Sequence, residues 1–304
     1  MQDMNAFNTH LNQTTQESAA GAGTVFSSAR RAASKVGRYG VAILGAVAMV
    51  GAMAVAPAQA DKLADIKKAG VVKFGVKADI KPWAYVDSAG KPIGFEIDMA
   101  KDIAKTLGVK PDFTTVTSAN RIQYLQQGKI DVILATLSDT KKRRKIIKMV
   151  HPNYFGDATN VLAPKGTKLK KWADLQDSVL CGVQGSFYNK PFAKEYNAEV
   201  KAYKGPPEAI AALKQGQCQA FLFSDQILRI QQETEASLKD FIVAFEPRDS
   251  DLWALAVNHG DKDASLAGVL SGIVKGLHKS GKLMELAKPH GLAGNPFLNA
   301  HANK

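Results

Sequence analysis

Cysteine is almost missing from this chain of 304 residues: only Cys181 and Cys218 occur, at a spacing that matches no metal motif. The six histidines lie far apart with no pair at ligand spacing, and no serine sits in a Gly-x-Ser-x-Gly nucleophile turn. These absences exclude the common zinc and serine-nucleophile chemistries, and no residue set calls for a metal or any other cofactor. After residue 60 no apolar run is long enough to cross a bilayer, and no low-complexity segment interrupts the pattern. What is left is about 244 residues of mixed composition, enough for two modest domains with a buried core.

Residues 1–60 read as a signal peptide and leader. Arg30, Arg31, Lys35 and Arg38 precede an apolar run over 41–56, and Ala58-Gln59-Ala60 offers small residues for cleavage near Ala60. The run is broken by Gly45 and Gly51, which favours cleavage over a retained anchor. The Arg30-Arg31 pair lacks the rest of a twin-arginine pattern, so ordinary export to the periplasm is expected. The whole chain carries a formal charge of +12, and the leader contributes only four basic and two acidic residues to it. A basic surface suits anionic ligands or the cell envelope, and export argues against nucleic acid. An oxidising compartment permits a Cys181–Cys218 disulfide, with two buried free thiols as the other reading.

From residue 71 strands alternate with helices: strand 71–76, helix 96–107, strand 112–116, helix 121–127, strand 130–134, helix 140–147. A second series follows, with strands at 159–163, 179–183, 200–203 and 220–223 and helices at 187–196, 207–215 and 226–232. The last segment, a strand over 253–257 and a helix over 264–288 broken near Ser280-Gly281, has no sheet of its own and must return to the first unit. The expectation is an α/β protein of two doubly wound lobes, residues 61–155 plus 252–304 and residues 156–251, joined by two crossing strands that form a hinge.

Thr136-Leu137-Ser138-Asp139-Thr140-Lys141-Lys142-Arg143 is the most informative stretch. Hydroxyls and free backbone N–H groups at a strand-to-helix junction, with an arginine one turn on, suit a small carboxylate. Arg144 reads as surface, and Glu96 and Asp98 as acids stabilised by the helix dipole in a first turn.

Five motifs in order then carry a family resemblance: Gly94-Phe95-Glu96-Ile97-Asp98-Met99-Ala100, Gly128-Lys129-Ile130-Asp131, Ser138-Asp139-Thr140-Lys141-Lys142-Arg143, Gly182-Val183-Gln184-Gly185-Ser186 and Phe223-Ser224-Asp225. Together they resemble the family 3 extracellular solute-binding proteins of polar amino-acid ABC transporters. The resemblance implies a type II periplasmic binding-protein fold closing like a venus flytrap, and a monomer that delivers an amino acid to a permease in the inner membrane. It implies no cofactor and no catalysis. A dehydratase of cyclic carboxylic acids on the same scaffold is the alternative from another class, although no general base with reason to be perturbed stands out.

Carried over residue by residue, the resemblance implies Arg143 for the ligand α-carboxylate with Thr136 and Ser138 beside it, and Asp225 for the α-ammonium. Ser186 and the Phe187 backbone N–H add donors, and Trp83 and Tyr85 wall the pocket. Val116-Thr117-Ser118-Ala119-Asn120-Arg121-Ile122 is similar to the glutamate/aspartate subgroup, where Ser118 and Arg121 contact a second carboxylate and Lys77 falls near a cationic position. The subgroup's lobe-two histidine would fall at about Pro206, a departure that leaves a neutral polar amino acid as the other ligand reading. Trp253 is expected to pack near the hinge.

Overall fold

The computed structural model describes residues 61–260 and 263–301, so the leader, the apolar run and the cleavage motif lie outside the described residues. Among the described residues no helix is long and apolar enough to cross a membrane.

The first half of the fold begins with α1 (Lys62–Ala69), capped by the Asp61 side chain, and β1 (Val71–Val76), whose buried residues include Val72, Phe74 and Val76. Next come three short strands, β2 (Asp79–Ile80), β3 (Ala84–Val86) and β4 (Pro92–Ile93), which pair as a small antiparallel sheet. Gly94 then turns the chain at a φ of 122°, where a Cβ would lie 2.5 Å from the Trp83 carbonyl oxygen, so only glycine fits. That close approach lets Glu96 N–H donate to the same carbonyl at 2.8 Å and fixes the start of α2 (Phe95–Leu107). One face of α2 buries Ile97, Ala100, Ile103, Ala104 and Leu107, and Gly108 closes the helix in the left-handed conformation.

After β5 (Lys110–Thr115), α3 (Arg121–Gln126) and β6 (Val132–Ile133), the chain enters β7 (Lys148–Pro164), a strand of 17 residues. The second half holds β8 (Val179–Val183), α4 (Asn189–Glu195), β9 (Glu199–Tyr203), α5 (Pro206–Lys214), β10 (Ala220–Ser224), α6 (Asp225–Thr234) and β11 (Phe241–Val243). The chain returns along β12 (Arg248–Val257) to α7 (Ala264–Lys279), α8 (Lys282–Ala287) and α9 (Pro296–His301). The strand order is β5-β1-β6-β12-β7-β10-β8-β9, with β11 also on β7. The outer strands are parallel within each half, while β7 and β12 run antiparallel from Val257 opposite Lys148 to Arg248 opposite Thr159. The alternation read from the sequence is therefore a doubly wound α/β fold in two halves with two long strands between them.

The helix expected over 140–147 does not form. Only a single 3-10 turn, Arg143–Lys145, interrupts the path into β7. Five successive cations repel along a helix, and Leu137 and Asp139 instead bond to β12, through Ala254 N–H to the Leu137 carbonyl (3.0 Å) and Asp139 N–H to the Leu252 carbonyl (2.8 Å). The helix expected from residue 187 begins at Asn189, after a turn at Gly185. The terminal helix breaks at Gly281, which stands at a φ of 70°.

Cys181 on β8 and Cys218 ahead of β10 are bridged, with Cα atoms 5.5 Å apart, because β8 and β10 are neighbours. The bridge closes a sequence separation of 37 residues, and in the chain-entropy account a loop of that size contributes about 3–4 kcal/mol. Reduction is expected to lower the unfolding free energy by about that amount and the denaturant midpoint with it, measured by unfolding with and without a thiol reductant.

Candidate functional site

The site is built where the two halves of the sheet meet. Past β6 the chain turns at Thr136 with a φ of 45°, a conformation that strains a β-branched residue by about 1–3 kcal/mol. Two buried side chains hold it there. Glu96 Oε1 accepts from the Thr136 N–H at 2.7 Å and also from the Tyr154 hydroxyl. Arg121, the first residue of α3, donates through Nη1 to the Thr136 carbonyl at 3.1 Å and to the Ala135 carbonyl. Glu96 and Arg121 are 0% and 2% exposed.

Two residues on, the Ser138 hydroxyl donates to Asp251 Oδ2 at 3.0 Å, and the Trp253 indole N–H donates to the same oxygen at 2.9 Å. The Ser138 carbonyl accepts from Arg143 Nη1 at 2.8 Å. Arg143 Nη2 reaches the other half of the sheet, donating to the Gly185 carbonyl at 3.0 Å. The Ser118 carbonyl packs against the same glycine, since a Cβ on Gly185 would lie 2.4 Å from its oxygen. Arg143 is 7% exposed, whereas Arg144 is largely exposed and pairs with Asp139 at 2.6 Å.

Lys77, at the end of β1, is 1% exposed with Nζ 3.2 Å from Asp79 Oδ1. Burial lowers its pKa against the opposing pull of Asp79. Burial and the neighbouring Arg143 also push Arg121 down to about 9, which leaves it a cation at neutral pH. The three cations Lys77, Arg121 and Arg143 thus stand together with carboxylates interleaved among them.

Other expected site residues are differently placed. Asp225 opens α6, but its carboxylate accepts from Arg229 Nε at 3.0 and 2.9 Å and from Asn160 Nδ2 at 2.7 Å, so it is already paired. Trp83 is no pocket wall: it is fully buried, packed edge-on to Phe155 (5.6 Å) and to Trp253 (5.7 Å), a core cluster beneath the crossing strands. Tyr85 lies on the rim, in a groove of about 430 Å³ shared with Asp79, Pro207 and Ile210, with Lys81 Nζ 5.6 Å from its ring centroid. Ser186 and Phe187 are half-buried beyond Gly185, and Phe187 packs edge-on to Tyr188 at 5.1 Å.

Three acids at the site escaped the sequence reading. Glu96 looked like a dipole-stabilised first-turn acid and is instead a buried anchor of Thr136. Asp157 and Asp251 are Cα partners across β7 and β12. Asp157 Oδ1 accepts from Gln226 N–H at 3.0 Å and from its neighbour Ala158 N–H at 2.8 Å. The one signal available was an acid inside each predicted crossing segment, and the pairing that makes it meaningful is long-range.

Burial raises all three: Glu96 to about 7, Asp157 to about 8 and Asp251 to about 6. Folded-state values above the unfolded ones mean that the protonated forms fold more favourably. The stability they contribute is full below about pH 4 and is lost as pH rises through about 6 to 8. Unfolding free energy is therefore expected to fall by a few kcal/mol from pH 5 to pH 8.5, and Asp157→Asn to flatten that slope. Urea unfolding across the range checks it, and a flat wild-type profile would contradict it.

The sequence pattern of the bacterial extracellular solute-binding proteins, family 3, matches residues 72–292. A glutamine-binding ABC transporter protein of Bacillus subtilis is 32% identical over 234 residues, covering 75% of this chain and 84% of its own. A glutamate/aspartate-binding protein of Pseudomonas aeruginosa is 24% identical, covering 79% and 84%. Among solved structures, the solute receptor for L-cysteine of Neisseria gonorrhoeae superposes with a TM-score of 0.72 at 29% identity, over 78% of this chain and 98% of its own.

Proposed function

The chain belongs to the bacterial extracellular solute-binding proteins, family 3, and has the type II periplasmic binding-protein fold; from that premise we propose that it captures an amino acid between its two halves and hands it to an ABC permease in the inner membrane. In this reading the leader is removed near Ala60 and the protein works in the periplasm as a monomer. Residues 61–155 with 252–304 form one lobe and residues 156–251 the other, and β7 and β12 are the hinge.

The observation that carries the proposal is Arg143: a buried guanidinium reaching from the Ser138 carbonyl in one half to the Gly185 carbonyl in the other. An α-carboxylate entering there meets a cation already held by both halves, with Thr136, Ser138, Ser186 and the Phe187 N–H around it. The ammonium end falls to lobe-two acid Asp225, which must then share its carboxylate with Arg229. Because acceptor and arginine sit on opposite halves, a zwitterion makes its full set of contacts only when they are together, which is the differential contact that favours closure.

The second pole holds Lys77, Ser118 and Arg121. The sequence alone favoured an acidic ligand, glutamate or aspartate, for that pole. Asp79 beside Lys77 and Glu96 beside Arg121 offset the positive charge, so the proposal covers an amino acid whose side chain ends in a carboxylate or its amide. Relatives named for glutamine and for glutamate/aspartate agree with that range.

Thermal unfolding of the protein, stripped of bound ligand and scanned against the amino acids, tests the reading. A ligand at about 100 times its dissociation constant adds roughly 2.7 kcal/mol, and a shift with one or a few polar amino acids is expected. No shift with any amino acid would overturn it. Ligand recovered unchanged and stoichiometric would separate binding from catalysis.

A further inference from the structure

Buried polar atoms without partners are rare because each costs about 1–3 kcal/mol. Two of them flank Thr136. Glu96 accepts both the Thr136 N–H and the Tyr154 hydroxyl at Oε1, and its Oε2 has no hydrogen-bond partner among the described residues. Arg121 spends Nη1 on the Ala135 and Thr136 carbonyls, and its Nε has no partner among the described residues. The two side chains grip the same residue, one by its N–H and the other by its carbonyl, so an unfilled acceptor and an unfilled donor belong to the pair that holds Thr136. Lys77 does not tip the balance, since Asp79 lies 3.2 Å from its Nζ.

Resting on the amino-acid-binding reading above, we propose that this pole is matched to a primary carboxamide, whose NH2 donates to Glu96 Oε2 and whose carbonyl accepts from Arg121 Nε. A carboxylate offers acceptors only. Set beside an ionised Glu96 it would bring two anions together in a buried site, where like charges are costly. An amide supplies one acceptor and two donors and adds no charge to a pole already balanced as Lys77 with Asp79 and Arg121 with Glu96. Glutamine and asparagine are the amino acids of that chemistry.

The charged and titratable groups around Glu96 are Tyr154, Arg121 and Lys77, with Arg143 behind Arg121. Because Oε1 already accepts two hydrogen bonds, a proton taken up by Glu96 belongs on Oε2, which would then donate. Burial holds this carboxyl near 7. An acidic ligand therefore gains ground as pH falls below that value, and an amide does not.

Calorimetry on stripped protein with L-glutamine, L-asparagine, L-glutamate and L-aspartate, at pH 8 and pH 6, reads the discrimination. The preferred amide is expected to bind at least tenfold more tightly than its matching acid at pH 8, with the gap narrowing at pH 6. Glu96→Gln places an NH2 where Oε2 stands and is expected to reverse the preference toward the acid. If that variant does not fold, the wild-type ratios at the two pH values decide alone. An acid that binds as tightly as its amide at pH 8 would overturn the carboxamide assignment and leave the amino-acid reading standing. So would binding confined to other amino acids such as cysteine or arginine. Absence of binding by all amino acids would instead overturn the reading on which the assignment rests.

Discussion

Arg143→Ala is expected to abolish measurable binding of every amino acid, whatever its side chain, because the α-carboxylate is common to all of them. Hydrogen bonds to charged groups contribute about 1.5–3 kcal/mol each, and truncating one partner of a buried charged pair costs about 2–5 kcal/mol. That places the loss at two to three orders of magnitude or more. The variant also removes the link from the Ser138 carbonyl to the Gly185 carbonyl, so the halves lose a tie even without ligand. Arg144→Ala is the control. It removes the same charge one residue along, from an exposed side chain paired with Asp139, and surface changes of this kind stay within about 0.5 kcal/mol. Calorimetry on both variants, each confirmed folded, checks the contrast. Wild-type affinity in Arg143→Ala would remove the carboxylate role from this residue.

The legible parts of the molecule were those whose cause is local. Strands β1, β8 and β10 each carry four or more buried residues and match the sequence reading to within one residue, whereas for β12 only its buried half, 253–257, is legible. The two-residue strands β2 and β4 carry no period at all, and each is held only by its pairing with β3. The cation run 141–145 reads as a helix, but its neighbours Leu137 and Asp139 bond instead to β12, more than a hundred residues later. Within the site, Thr136, Ser138 and Arg143 share one short segment and could be read together. Glu96 meets Thr136 across 40 residues and Ser138 meets Asp251 across 113, and no local pattern marks either contact. Asp225 is the instructive case, because its partner Arg229 sits only four residues on along α6, a spacing that pairs opposite charges on any helix.

Gly185→Ala is expected to weaken ligand binding by about a hundredfold while leaving the fold intact. The residue stands at a φ of 81°, a conformation that costs an L-residue about 1–2 kcal/mol. An added Cβ would also lie 2.4 Å from the Ser118 carbonyl oxygen and 2.8 Å from the Ala119 Cα, both backbone atoms that cannot swing aside. Strain of φ alone acts on the protein whether or not its halves meet. Under the proposed hinge motion the clash acts only when the halves meet, because Ser118 lies before α3 and Gly185 after β8. Apparent affinity falls by the fraction of molecules able to close, so about 3 kcal/mol placed on the closed arrangement alone gives the hundredfold loss. Gly216→Ala separates the two terms: its φ is 71°, but a Cβ there meets nothing within 4 Å. That variant should lose stability and keep affinity, whereas Gly185→Ala should lose affinity beyond any loss of stability and fail to compact on adding saturating ligand in small-angle scattering. Normal affinity and normal compaction in Gly185→Ala would mean that the halves do not come together at this glycine when ligand is held, and the bridge from Arg143 to its carbonyl would then have no part in capture.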